Sequence, residues 1–193
     1  MSHWYFASVL SAIFFSASAL ALTPNEIASI KPGTQLELPV VDTDTPALET
    51  IDIHTVATIT DPDGTLWYRF NGKRRDQSAA AIIAHIENGQ VEVVSSIRLL
   101  KLRDIGANPK QVWRMDKLAQ GELNFENQPY KFNADESDDA KYVDTSGTQT
   151  SISYYKFENA TDDDLSLMVF EWAEDNFEVL ALEWVDSEKV RIK

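Results

Sequence analysis

The residues here that could do chemistry are carboxylates, hydroxyls, His54 and His85, and one short basic run, because the 193-residue chain has no cysteine. That excludes thiolate nucleophiles, disulfides, zinc ribbons and iron–sulfur ligation. The most suggestive stretch is LMVFEWAEDNFEVLALEW (residues 167–184), which sets Glu171, Glu178 and Glu183 among Trp172 and Trp184. Paired carboxylates beside aromatic rings are what a sugar-cleaving hydrolase uses, one as acid and one as base or nucleophile. The same residues also alternate as a β-hairpin. A two- or four-residue connection would set Glu171 against Glu178, and like charges directly opposite destabilise a pair. A three-residue loop, Glu174-Asp175-Asn176, avoids this and puts Asn in the left-handed position that it tolerates. Met168, Phe170 and Trp172 then face Leu182, Leu180 and Glu178, with Trp184 continuing that face. Leu167, Val169, Phe177, Val179 and Ala181 form the other face. Both faces are apolar in the middle, which predicts a hairpin covered on both sides with its carboxylates at the ends. On that reading Phe170→Ala costs several times more stability than Glu178→Ala.

The other candidates are weaker. His54 alternates with Ile51, Ile53 and Val56, and His85 sits between Ala84 and Ile86, so both read as structural strand residues. No nucleophile elbow, metalloprotease helix, P-loop or dinucleotide fingerprint occurs. Asn133, Asp135, Ser137, Asp139 and Asp144 occupy positions one, three, five, seven and twelve of a calcium-loop template. However, Asp138 stands where that loop needs glycine, position twelve is Asp rather than Glu, and the flank QPYKF is strand-like. The expectation there is a solvated acidic loop and no metal site. TDDDL (Thr161–Leu165) reads as a turn whose Asp side chains cap their own backbone. Lys73, Arg74 and Arg75 are the one concentration of positive charge. They read either as a site for a lipid headgroup, phosphate or acidic partner, or as a polar hairpin tip.

The formal charge of −14 is uneven. Residues 22–68 carry eight acids against one lysine, 69–117 ten basic residues against five acids, and 118–193 eighteen acids against six basic residues. Such a chain does not bind nucleic acid through a general field, which needs clustered Lys and Arg. An acidic surface serves solubility, or attracts a cation or basic partner. The N-terminus, an apolar run from Trp4 to about Leu22 ending in Ala19-Leu20-Ala21, has the pattern of a signal peptide over residues 1–21, cleaved after Ala21. Its n-region lacks Lys and Arg, and residues 4–22 are nearly long enough for an uncleaved inner-membrane anchor. Membrane contact is expected only through such a leader. The expected compartment is periplasmic or secreted.

Thr23-Pro24-Asn25-Glu26 is a capping-box pattern for a short helix. TQLELPVV alternates as a strand, and IDIHTVATIT and TLWYRF flank Asp61-Pro62-Asp63-Gly64 as a hairpin. Asn71-Gly72 reads as a further turn. Residues 78–88 fit a helix, through Ala79, Ile82, Ile83 and Ile86, or a strand turning at Asn88-Gly89, and the strand is favoured. NPKQVWRMDKLAQG predicts a helix capped by Asn108, ended by Gly121, and buried through Val112, Met115 and Leu118-Ala119. About ten short strands with one or two helices define a mainly β (α+β) chain, its antiparallel hairpins forming a small barrel or sandwich. Residues 22–193 read as one domain, with two possible lobes, about 22–106 and 121–193.

Residues 121–193 carry GELNFENQPYKF, SISYYKF, the Glu171-Trp172 pair and a closing Val190–Ile192 segment. This pattern resembles a bacterial β-rich domain family of unknown function. The resemblance implies a barrel-like module with no assigned catalytic residue, in some members encoded near membrane-stress and polyamine-synthesis genes. The functional expectation is an exported, acidic, non-catalytic binding or interaction protein of the cell envelope, its partner a protein or a small-molecule or cationic ligand. The alternatives are a carboxylate-dependent hydrolase and a divalent-cation or polyamine-binding protein. No cofactor is expected.

Overall fold

The capping box at residues 23–26 forms as its sequence dictates. In the computed structural model, which describes residues 22–40, 47–173 and 176–193, helix α1 (Pro24–Ser29) starts at Thr23. The Thr23 N–H donates to the Glu26 carboxylate at 2.8 Å and the Glu26 N–H to the Thr23 hydroxyl at 3.3 Å. The Thr23 hydroxyl, which donates to the same carboxylate at 2.7 Å, and the Thr23 N–H hold the exposed Glu26 carboxyl below its usual range. The leader and the sequence-read loop at 174 and 175 lie outside the described residues.

Strands β1 (Gln35–Pro39), β2 (Leu48–Thr60), β3 (Leu66–Lys73), β4 (Ala79–Glu87) and β5 (Gln90–Leu100) follow. A 3-10 turn (Leu102–Ile105) leads to α2 (Pro109–Leu118), then β6 (Glu122–Phe125), β7 (Gln128–Val143) and β8 (Gln149–Asn159). β9 (Leu165–Ala173), β10 (Asn176–Val185) and β11 (Arg191–Ile192) complete one antiparallel sheet, ordered β11-β1-β2-β3-β4-β5-β10-β9-β8-β7-β6. β2 also pairs with β7, Thr58–Thr60 against Lys141–Val143, so eight strands close on themselves. The chain is mainly β and antiparallel, as its alternation predicts, and the arrangement is a barrel. The β5–β10 and β2–β7 pairings both join strands from either side of residues 106–121.

Both barrel faces are covered, which explains the uninterrupted apolar runs. On β4, Ala80, Ile82 and Ala84 face outward into a core with α1, β1 and Val185. Ala81 and Ile83 face the lumen, with Ile59, Ile152, Met168, Phe170 and Leu180. A second outer core lies under α2, where Val112 meets Phe132, Phe157, Leu167 and Val169. An eight-stranded barrel has room inside for little more than its own side chains, and these fill its middle.

The favoured strand reading of residues 78–88 holds, and three other local expectations change. Residues 79–87 form a strand, with Asn88 (φ 51°) and Gly89 (φ 81°) making the two-residue turn into β5. Asn71-Gly72 is not a turn but lies inside β3, where β2 is irregular between Ile53 and Thr55. Residues 133–143 are strand rather than loop, as β7 runs to Val143 with a bulge between Asn133 and Asp138. Helix α2 has its Asn108 cap, but Ala119 (φ 50°) ends it and Leu118 is half exposed. Gly121 is needed for another reason: a Cβ there would press on the Met115 side chain.

The β9–β10 hairpin keeps the two expected faces but not the expected register. Ala173 faces Asn176, then the pairing shifts so that Phe177 faces Glu171 and Glu178 faces Phe170. The shift at Trp172 keeps Glu171 and Glu178 on opposite faces, so a close approach of the strands needs no opposed carboxylates.

Candidate functional site

At one end of the barrel the β2–β3, β4–β5 and β8–β9 turns surround a cleft of about 680 Å³. That size suits a small ligand. Its floor is apolar and comes from alternate, inward-facing strand positions: Trp67, Ile83, Val94, Tyr154, Met168 and Leu182. Trp67 stacks on His85, its cross-strand partner, with ring centroids 4.3 Å apart, and leans on Tyr154 at 6.2 Å. Trp184 stands at the rim with 47% of its surface exposed, which is unusual for a tryptophan on a barrel strand.

The rim is acidic. Eight carboxylates line the cleft: Asp61 and Asp63 from the β2–β3 turn, Glu92, Asp135, Glu136, Glu158, and Asp163 and Asp164 from the β8–β9 turn. Lys156 and His85 are the basic residues there. His85 Nδ1 lies 3.9 Å from Glu92 Oε2. Among the described residues no group of three or more His, Asp or Glu side chains converges as metal ligands would.

Asp61 joins rim to floor. Its Oδ2 accepts from Trp67 Nε1 at 2.7 Å, while Oδ1 is buried and accepts no hydrogen bond of good geometry. Burial holds this carboxyl above its usual range, opposed by the Trp67 and Tyr154 donors and reinforced by Asp63 and Asp138. The Tyr154 hydroxyl is pushed far up by burial and by the Asp61 charge. A raised carboxyl means the folded chain binds this proton more tightly than the unfolded one. Stability therefore falls as pH climbs from the ordinary carboxylate value through the raised one. Asp61→Asn keeps an acceptor for Trp67 and deletes the charge. The expected result is a melting temperature a few degrees above wild type at pH 7, with the gap closing as pH falls toward 4. Thermal melts across that range check it, and a lower melting temperature at pH 7 would reverse the sign assigned to Asp61.

The three glutamates singled out in the sequence go to three places. Glu171 faces outward and accepts from Trp113 Nε1 at 2.9 Å and the Tyr155 hydroxyl at 2.7 Å, tying α2 to the barrel wall. Burial, with the Glu171 bond and charge, pushes the Tyr155 hydroxyl up. Glu178 points into the lumen at the end away from the cleft, where both its oxygens accept from Arg69 Nη2 at 2.8 Å. Its position at the hairpin end is therefore interior rather than solvent-facing. Glu183 borders a separate outer cleft of about 400 Å³ beside Arg98 and Phe125. No two of them share a cleft, and Trp172 lies in the lumen against Phe170 and Tyr142.

The calcium-template residues do not converge. Asn133 orients Glu136 and Glu158, Asp139 accepts from the Ser153 hydroxyl, and Asp144 caps the turn through Ser146 and Thr148. Thr161 and Asp162 donate to Asn159, which caps that turn. In the basic run, Arg74 serves the fold: it pairs with Glu49 at 2.8 Å and donates to the Ala79 and Ser96 carbonyls. His54 is exposed on β2. The sequence reading missed Trp67 and Lys156, and it took His85, which lines the cleft, for a structural strand residue. The available signal was Asp61 and Asp63 in a turn running directly into Trp67.

Comparisons with protein-family models, with curated proteins and with solved structures returned no match. The likeness of residues 121–193 to a β-rich family accordingly stays an expectation.

Proposed function

We propose that this chain is an exported, non-catalytic binding protein of the bacterial cell envelope whose open barrel end takes a small organic cation. One observation carries the reading: an apolar, aromatic floor is enclosed by a rim of eight carboxylates. An ammonium group gains from both, through the ring faces and through the field of the rim. A bare divalent ion would instead want convergent oxygen ligands. Separation of Glu171, Glu178 and Glu183 weighs against a hydrolase built on those three, because paired acids must flank one bond. The leader pattern of residues 1–21 supports export.

The test is a fluorescence titration with p-xylylenediamine, which has a flat body and two ammonium groups. Trp67 and Trp184 line the cleft, so binding shifts tryptophan emission, and affinity weakens from low to physiological salt as a screened interaction must. Trp184→Ala weakens binding about three- to tenfold, the magnitude of one cation–π contact. No emission change at sub-millimolar amine in low salt refutes the cation reading. N-terminal sequencing of the envelope fraction tests export separately, and a mature chain starting at Leu22 is the expected result.

A further inference from the structure

We infer that Lys156 is a tethered occupant of the acidic cleft, and that it limits the number of charges on the cation the cleft accepts. This rests on the cation-binding reading above. Lys156 projects from β8 into the cleft with a side chain only 21% exposed. Its ammonium sits against the Glu136 carboxylate and 3.5 Å from Glu158 Oε1.

The station around it is built into the backbone. β7 bulges between Asn133 and Asp138, which brings Glu136 over the cleft. Asn133 Nδ2 donates to Glu158 at 2.9 Å and to Glu136 at 3.2 Å, so the two carboxylates are held as a pair. The Ser137 hydroxyl donates to the Asn133 carbonyl at 2.6 Å and accepts the Lys156 N–H at 2.9 Å, locking the bulge to the lysine's own backbone. An ammonium of the protein thus fills one of the carboxylate pairs that a ligand ammonium would seek. Asp63, Asp163 and Asp164 stay on the open part of the rim. A ligand with one or two charges fits the remaining carboxylates, and a third charge meets Lys156.

Calorimetry at low salt with benzylamine, p-xylylenediamine and spermidine, carrying one, two and three charges, tests this. Lys156→Gln frees Glu136 and Glu158, so spermidine affinity relative to benzylamine is expected to rise about three- to tenfold, the range of one ion pair in a partly dry site. Lys156→Arg stays with wild type. An unchanged or falling ratio in Lys156→Gln overturns the inference. A second comparison does not depend on that variant folding: Glu136→Gln should weaken spermidine binding less than Asp163→Asn, since the ligand reaches Asp163 but not the carboxylate that Lys156 holds. An equal or larger loss at Glu136 overturns it too. A wild-type protein that binds none of the three amines overturns the cation reading instead.

Discussion

Glu178→Ala is expected to destabilise the protein by about 3–5 kcal/mol, the cost of stranding a buried charge. Arg69, its partner, is 3% exposed in the lumen. The Arg69 guanidinium lies 4.9 Å from the Phe170 ring and 5.2 Å from that of Trp172, with Nε donating to Asn71 and Nη2 to Glu178. Nη1 has no partner, so the group has no spare compensation when the carboxylate is removed. Phe170→Ala is expected to cost a similar amount, about 3–5 kcal/mol, through lost burial and the cavity left behind. The two costs should therefore be alike, where the sequence reading expects a several-fold difference. That reading has the faces of the hairpin right but takes Glu178 to be at a solvated end. Denaturant unfolding of the two variants measures both values. Arg69→Met with Glu178→Leu should recover most of the loss, because removing both charges leaves nothing stranded. A Glu178→Ala cost below about 1 kcal/mol, the worth of an exposed pair, would mean that water reaches Arg69.

Gly72→Ala is the second large effect, expected at about 3 kcal/mol, the upper end of the usual range for forced overpacking. A Cβ at residue 72 would stand 3.0 Å from the Asp52 carbonyl carbon and Ile51 Cγ2, and closer still to the Asp52 oxygen. The obstacle is backbone in the middle of β2, at the irregularity that opens the β2–β3 ladder, so no rotamer change relieves it. Gly64→Ala is the natural control, since a Cβ there meets nothing within 4 Å and the strain comes only from φ +93°. If Gly72→Ala loses no more than Gly64→Ala in the same denaturant series, β2 can shift cheaply and the assignment of Gly72 as a close-approach site fails.

Much of the fold was legible because local chemistry specifies it. Thr23 and Glu26 define a helix start, Asn88-Gly89 supplies two residues that tolerate positive φ, and Asn108-Pro109 caps and opens α2. The face assignment in 167–184 also held, because alternation survives any even shift in register. Illegible were the positions where distant strands meet. Asn71-Gly72 has the composition of a turn, and only its pairing with β2 on one side and with Ala80 and Ala81 of β4 on the other makes it part of a strand. The acidic run from Asn133 looks like a loop because Asp disfavours strands, yet pairing with both β8 and β2 holds it extended.

The site divides in the same way. The sequence alone determined that cysteine chemistry is absent, that the surface is acidic, and that aromatic and aliphatic residues alternate in strands with both faces buried. Those properties follow from residue type and from periodicity along one chain. Only the tertiary structure decided which carboxylates gather around an open end, that Glu178 turns inward to Arg69, and that Lys156 enters the cleft between Glu136 and Glu158. Barrel closure sets these neighbours. It joins β2 to β7 and β5 to β10 across about eighty residues of chain or more, a distance over which spacing in sequence carries no information about spacing in space.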